Sequence, residues 1–383
     1  MCPGTAAGRS ALGRIPGYGG RQEHVLQETE MKNVAIRLWA AVAACALALP
    51  AMAQSCLGDL NADRTVTGAD LGILLGQWGQ AGSADLDGNG IVGGADIGLM
   101  LGAWGICPTV PSWATLVEAQ PDPAVVTDPS LRAAIAATGL AWRVRHTGTQ
   151  IELVLIPPGT FQMGCNASTS YGCSASESPK HQVTLTNPFY MGRYEVTRPQ
   201  WKAVMGSDPS HWTCMPSTIC ENWPVDYVGW AQVQQFNALT GMRLPTEAEW
   251  EWAYRAGTDM AFYGFPGYPS GTNSDALAEQ KIAYRQPLGG SSWAPGDGGQ
   301  RYPNGFGLYD MAGNYSELVN DWYGDYPASA VTNPTGPSTG WARIVRGGSY
   351  DSPRSWRASA RYSASTAILL PDVNISVRVA RNP

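Results

Sequence analysis

The residues with the most specific chemical spacing lie in two acidic runs. Asp59, Asn61, Asp63, Thr65 and Asp70 stand at positions 1, 3, 5, 7 and 12 of the first, and Asp85, Asp87, Asn89, Ile91 and Asp96 repeat those positions in the second. Alternate carboxylates and amides can turn inward around a hard cation. The residue at position 7 offers its backbone carbonyl, and the acid at position 12 closes the cage. Calcium is the expected ion. Position 6 is Gly90 in the second loop but Arg64 in the first. A turn there needs positive φ, which glycine adopts freely, so the first site is expected to be the weaker.

Loops of this kind need rigid elements behind them. The stretch GDLNADRTVTGADLGILLGQWG (58–79) recurs as ADLDGNGIVGGADIGLMLGAWG (84–105), 26 residues further on. Each copy runs from its acidic loop into a short helix. Leu71, Leu74, Leu75 and Trp78 follow helical spacing in the first, and Ile97, Met100, Leu101 and Trp104 in the second. Neither helix can bury its stripe alone. Packing the two stripes together predicts one small core over 56–107, closed by a Cys56–Cys107 disulfide.

The chain has 383 residues, enough for more than one domain. Charged residues are only 15%, with 45 Gly, 15 Trp and 16 Tyr, which suggests a loop-rich fold built around aromatic anchors. A net charge of −6 gives no basic footprint for nucleic acid. Residues 1–30 carry no readable pattern. Met31 opens MKNVAIRLWAAVAACALALPAMAQS, with Lys32 and Arg37 before an apolar run and Ala51-Met52-Ala53 after it. This predicts a start at Met31 and a secretory signal over 31–53, too short for a stable membrane span. A lipoprotein signal around Cys45 is the rival reading. The expected location is secreted, periplasmic or at the cell surface. In an oxidising compartment the six cysteines beyond the leader are expected to pair, Cys165–Cys173 and Cys214–Cys220 by close spacing and Cys56–Cys107 because they bracket one small unit.

Residues 108–150 read as a linker and helical lead-in, with a helix over 128–142. Residues 151–383 read as one large domain with three clear helices. Thr197 and Thr246 each open a capping box, leading to Trp201 and Met205 and to Trp250 and Tyr254. A third helix is predicted over 227–239, stopping at Gly241. The three histidines beyond the leader, His146, His181 and His211, are too far apart for a local metal motif, and His181 reads as a structural hydrogen-bonder. No GxSxG elbow occurs.

Several motifs run in order through this region: IPPGTFQMG (156–164), ESPKHQVTL (177–185), FYMGRYEVT (189–197), PVDYVGW (224–230), RLPTEAEWEWAYRAG (243–257), PNGFGLYDMAGNYSELVNDWY (303–323) and RIVRGGSYDSPRSWRASARY (343–362). Together they resemble the formylglycine-generating enzyme (sulfatase-modifying factor) family. The resemblance implies an α+β fold, a much-elaborated C-type-lectin-like domain with little regular secondary structure. It also implies a calcium site with side chains from Asp310 and Glu317 and backbone carbonyls from Gly313 and Tyr315. The repeated loops over 58–105 resemble a dockerin, which implies a small all-α calcium-binding module and a cohesin-like or cell-surface partner.

The departure from the family is chemical. Its oxidase members carry paired redox cysteines at positions that fall here on Ser352 and Arg357. Copper(I) needs soft thiolates, which these residues cannot supply. Tryptophans usual beside the calcium glutamate are replaced by Ser316 and Leu318. Copper is therefore not expected, no catalytic residue is assigned, and the balance leans against an enzyme. Variable ligand-binding proteins with a similar lectin-like fold suggest another use for the same place. The expected cleft is lined by Ser349, Tyr350, Ser352, Arg354, Trp356 and Arg357 and takes a peptide or glycan. Three functions stand at this point: calcium-dependent binding or scaffolding, a family-type oxidase acting on a sulfatase cysteine, and a calcium-stabilised structural envelope protein.

Overall fold

The computed structural model describes residues 56–165, 172–211, 220, 222–289, 292–365 and 372–383. The expected start, the signal over 31–53 and Cys214 lie outside these residues. No helix among the described residues is long and apolar enough to cross a membrane.

The repeat region forms two nine-residue helices, α1 (Gly68–Gly76) and α2 (Gly94–Gly102). Thr67 caps α1, its hydroxyl accepting from the Ala69 amide while the Asp70 carboxylate accepts from the Thr67 amide. The region is not purely helical. Residues Thr65–Val66 (β1) and Gly105–Ile106 (β2) pair antiparallel, and the Cys56–Cys107 disulfide closes the unit. Its core is Val66, Leu74, Ala84, Val92 and Met100. The two stripes do not pack together in full. Leu74 and Met100 are buried and Leu71 and Ile97 partly so, but Leu75, Trp78, Leu101 and Trp104 are exposed. Both helices end before their tryptophans, and the leucines at 75 and 101 sit one helical step beyond the buried position.

The remaining elements run β3 (Ala114–Glu118), α3 (Pro129–Ala137), β4 (Arg143–His146), β5 (Glu152–Ile156), β6 (Gly159–Met163), β7 (His181–Leu185), β8 (Phe189–Gly192), α4 (Arg198–Met205), α5 (Trp230–Thr240), α6 (Glu247–Arg255) and α7 (Asp275–Lys281). They continue as β9 (Gln286–Gly289), β10 (Ser292–Ala294), β11 (Ser316–Trp322), β12 (Val331–Thr332), β13 (Ala342–Arg346), β14 (Tyr362–Ser365), β15 (Ile375–Ser376) and β16 (Ala380–Arg381). The largest sheet has the order β16-β8-β5-β4-β3; a four-stranded sheet has the order β14-β13-β11-β15. The mixture of helix and strand agrees with the expected α+β class.

The lead-in belongs to this fold. Strands β3 and β4 extend the largest sheet, and Ala114, Val126, Leu131, Ile135 and Trp142 join the main core. The expected helix over 128–142 stops at Ala137, because Gly139 turns to φ +69° and the chain then enters β4. Both capping boxes form, Thr197 with Gln200 and Thr246 with Glu249. Helix α5 starts later than expected, since Tyr227 has φ +58° and precedes an extended Gly229 cap. Every residue of helix α6 but Glu249 is buried, and its Trp250, Trp252 and Tyr254 anchor the domain. Helix α7, which sequence reasoning missed, is capped by Ser274.

Candidate functional site

Three places hold the residues singled out from sequence. In the repeat region the two loops have the same internal wiring. Asp70 takes amide hydrogen bonds from Leu60 (2.9 Å), Asn61 (3.2 Å) and Thr67 (2.8 Å). Asp96 takes them from Leu86 (2.6 Å), Asp87 (3.1 Å) and Gly93 (2.6 Å). The Gly93 amide, aided by those of Asp87 and Leu86, holds Asp96 below the usual carboxylate range against the effect of burial. At Asp70 burial pulls upward, but the amides of Thr67, Asn61 and Leu60 outweigh it. Position 6 has the predicted positive φ in both loops, +68° at Arg64 and +93° at Gly90. Only glycine adopts that conformation without steric cost. Carboxylate oxygens of Asp85, Asp87 and Asp96 all lie within 4.8 Å of one another.

The second place lies inside the large domain. The chain leaves β8 through Glu195 and returns through Asp310 and the start of β11. Glu317, expected as a calcium ligand, is already engaged. Arg378 donates from Nε to both its oxygens (2.9 and 3.0 Å) and from Nη2 to Oε1 (2.6 Å), and Trp250 donates from Nε1 to Oε2 (2.7 Å). Asp310 differs. Its backbone has φ +55°, Oδ2 accepts from the Gly299 amide at 2.6 Å, and Oδ1 has no hydrogen-bond partner among the described residues. Burial pushes its pKa up to about 6, with the Gly299 amide opposing.

Glu195 is the residue that sequence reasoning missed. It is 1% exposed, and neither carboxylate oxygen has a hydrogen-bond partner among the described residues. Arg378 Nη2 comes only to 4.0 Å. Burial, and then repulsion from Asp310, raise its pKa well above the ordinary value. Unpartnered carboxylate oxygens in an interior are costly unless a proton or a cation meets them. Of the other two expected ligands, Gly313 has φ +83° and an added Cβ there would lie 2.8 Å from the Tyr284 backbone nitrogen. Tyr315 is buried, its hydroxyl donating to Asp226 at 2.7 Å.

The third place is the segment after β13. Gly347 and Gly348 turn the chain at φ +83° and +68°, and a Cβ on Gly348 would meet that of Ser355 at 2.5 Å. Of the six residues expected to line a cleft, Ser349, Tyr350, Trp356 and Arg357 are buried. Trp356 Nε1 donates to the Ser349 carbonyl at 2.8 Å, and Tyr254 donates to the Trp356 carbonyl. Ser352, only partly buried, donates to Asp351 at 2.9 Å, and the Ser349 hydroxyl also donates to that carboxylate. Arg354 is exposed. Arg357 is wholly committed inward. Its Nη1 and Nη2 donate to the two oxygens of Glu177 at 2.7 and 2.8 Å, and Ser359 donates to the same carboxylate at 2.6 Å. Burial alone would raise the Glu177 pKa, but Arg357 and Ser359 hold it below the ordinary range. The hydroxyl of Ser352 and the guanidinium of Arg357 are not soft-metal ligands.

Open space lies elsewhere. One cavity of about 640 Å³ is lined by Phe265, Tyr302, Tyr309, Met260 and Asp128, among others. His181 is buried, its Nδ1 3.0 Å from the Pro179 carbonyl, in keeping with a structural role. Cys165–Cys173 forms as expected; Cys220 is disulfide-bonded, but its expected partner lies outside the described residues.

Residues 141–383 match the family described as sulfatase-modifying factor enzyme 1-like domain, and the chain belongs to that family. Among curated relatives, the formylglycine-generating enzyme of Thermomonospora curvata is 28% identical over 267 residues, covering 56% of this chain and 87% of that protein. The chaperone protein LppX of Paenibacillus barcinonensis is 28% identical over 264 residues, covering 57% and 86%. Among solved structures, Treponema denticola variable protein 1 superposes with a TM-score of 0.51 at 26% identity, covering 62% of this chain and 98% of that one.

Proposed function

We propose that this is a secreted, calcium-dependent binding or scaffolding protein whose family domain no longer carries out the oxidase reaction. One observation carries this reading. The second redox position holds Arg357, and its guanidinium is spent on a buried bidentate pair with Glu177. The hydroxyl of Ser352 at the first position offers copper nothing in exchange. The family includes relatives named as formylglycine-generating enzymes and one named as a chaperone, so the frame serves more than one role. Oxidation of a sulfatase cysteine remains the alternative that family membership alone would suggest. The deciding experiment is incubation of a cysteine-containing sulfatase peptide with the protein, copper and oxygen, read by mass spectrometry.

Calcium in the large domain is held by Asp310 and Glu195, with carbonyls from the 313–315 turn. The unpartnered oxygens of Glu195 and Asp310 support this ligand set over one using Glu317. The loops over 58–105 form a dockerin-like calcium module. Its two copies each present an exposed leucine and tryptophan, Leu75 with Trp78 and Leu101 with Trp104, which supports docking on a cohesin-like or cell-surface partner. A peptide or glycan ligand of the large domain fits the aromatic cavity at Tyr302 better than the filled segment 349–357.

A further inference from the structure

The Cys165–Cys173 disulfide lies against the ion pair at the former redox position, and its two sulfurs are unlike. Cys173 is exposed. Cys165 is partly buried, its amide tied to the Glu177 carbonyl at 2.9 Å, and its Sγ lies 3.9 Å from Arg357 Nη1. The Cys56–Cys107 disulfide offers the opposite surroundings, for Cys107 Sγ lies 3.9 Å from a carboxylate oxygen of Asp59. A disulfide exchanges fastest when one sulfur is open to attack and the other leaves as a stabilised thiolate. A neighbouring cation provides that stabilisation and an anion opposes it.

We propose that Cys165–Cys173 is a thiol–disulfide exchange site, with Cys173 as the attacked sulfur and Cys165 as the leaving group held by Arg357. The co-reactant is an external dithiol. Its thiolate attacks Cys173 Sγ, forming a mixed disulfide. The bond to Cys165 breaks, and the electron pair stays on Cys165 Sγ beside the guanidinium. The second thiol of the dithiol loses its proton to solvent and attacks the mixed disulfide. Cys173 is released as a thiolate that takes up a proton. The protein pair is reduced by two electrons and the dithiol is oxidised to a disulfide. Glu177 shares the same guanidinium and so restrains the step. This site is independent of calcium binding and of the loss of oxidase activity.

The test uses the full chain with excess dithiothreitol at neutral pH, quenched by alkylation and resolved by peptide mass spectrometry. Cys165–Cys173 should open at least about tenfold faster than Cys56–Cys107, the internal reference. Glu177→Gln releases Arg357 from its competing anion and should speed opening by about threefold or more. Adding Arg357→Met to Glu177→Gln replaces the ion pair with neutral groups and should bring the rate below that of the wild type. A merely loosened loop would make both variants faster, and that result, or a double variant as fast as the wild type, overturns the proposal. Where the variants do not fold, the wild type alone decides. Alkylation of reduced Cys165 should have its midpoint below the ~8.5 of free cysteine, and a midpoint at or above it overturns the assignment.

Discussion

Glu177 and Glu195 are both glutamates of the same domain, and both are almost completely buried, at 2% and 1% exposure. Glu177 is saturated by Arg357, Ser359 and the Ser174 amide. Glu195 has no hydrogen bond to either carboxylate oxygen among the described residues. One burial is satisfied among the described residues; the other leaves both oxygens without a hydrogen bond, with Arg378 Nη2 at 4.0 Å. Under the proposed function, the difference separates a position that serves structure from one kept for a ligand. In the proposed reading, Arg357 stands where the family resemblance puts a cysteine of the oxidase members and completes a salt bridge, and the interior acids hold a cation.

The contrast breaks first at Arg357. Arg357→Met strands Glu177 as a buried unpaired charge and should cost about 3–5 kcal/mol in denaturant unfolding. Glu195→Gln in calcium-free protein should change stability by less than about 1 kcal/mol, because neither carboxylate oxygen accepts a hydrogen bond and burial with repulsion from Asp310 already favours the neutral acid. Equal losses in the two variants would erase the distinction.

Calcium sharpens the contrast next. Calcium should raise the melting temperature of the large domain, and Glu195→Gln or Asp310→Asn should abolish that rise. Arg357→Met, however destabilised, should still respond to the ion. A calcium shift that survives both acid substitutions removes Glu195 and Asp310 from the site.

A third buried acid lies between these extremes. Asp321 accepts one amide hydrogen bond, from Glu247 at 3.0 Å, and burial together with the Glu247 charge pushes its pKa up to about 7 from 3.8. Its folded pKa lies above its unfolded one, so the folded state holds the proton more tightly between them. The associated stability is present below pH 3.8 and is lost as pH rises to about 7. Asp321→Asn should flatten that decline in urea-unfolding measurements made across the same window. A decline unchanged in the variant would assign it to another group.

The smallest effect is expected between the two acidic loops. Calorimetry on the full chain should find the tighter event of the module lost in Asp85→Ala and little altered in Asp59→Ala. The φ of +68° forced on Arg64 is the physical reason. Loss of both events in either variant would mean that the loops act as one site.

Features that depend on neighbours in sequence were readable before the fold. The acidic loops repeat at fixed spacing, and Thr197 and Thr246 announced their helices through the glutamine and glutamate three residues on. Features that depend on distant partners were not. Glu195 sits between Tyr194 and Val196 with nothing local to mark it as buried, and Arg378, which pairs with Glu317, is 61 residues from that glutamate. The segment 349–357 looked like a cleft because it is rich in aromatic and basic side chains; what fills it is Glu177, 180 residues away. Leu75 and Leu101 continue an apolar run, yet the short helices leave them outside the small core.

The central claim is that the family frame has exchanged its oxidase chemistry for an ion pair. It is tested most directly by mass spectrometry of a cysteine-containing sulfatase peptide incubated with the unmodified protein, copper and oxygen. The peptide should be recovered with its cysteine unconverted. Catalytic formation of formylglycine by the unmodified protein, absent without it, would contradict the account.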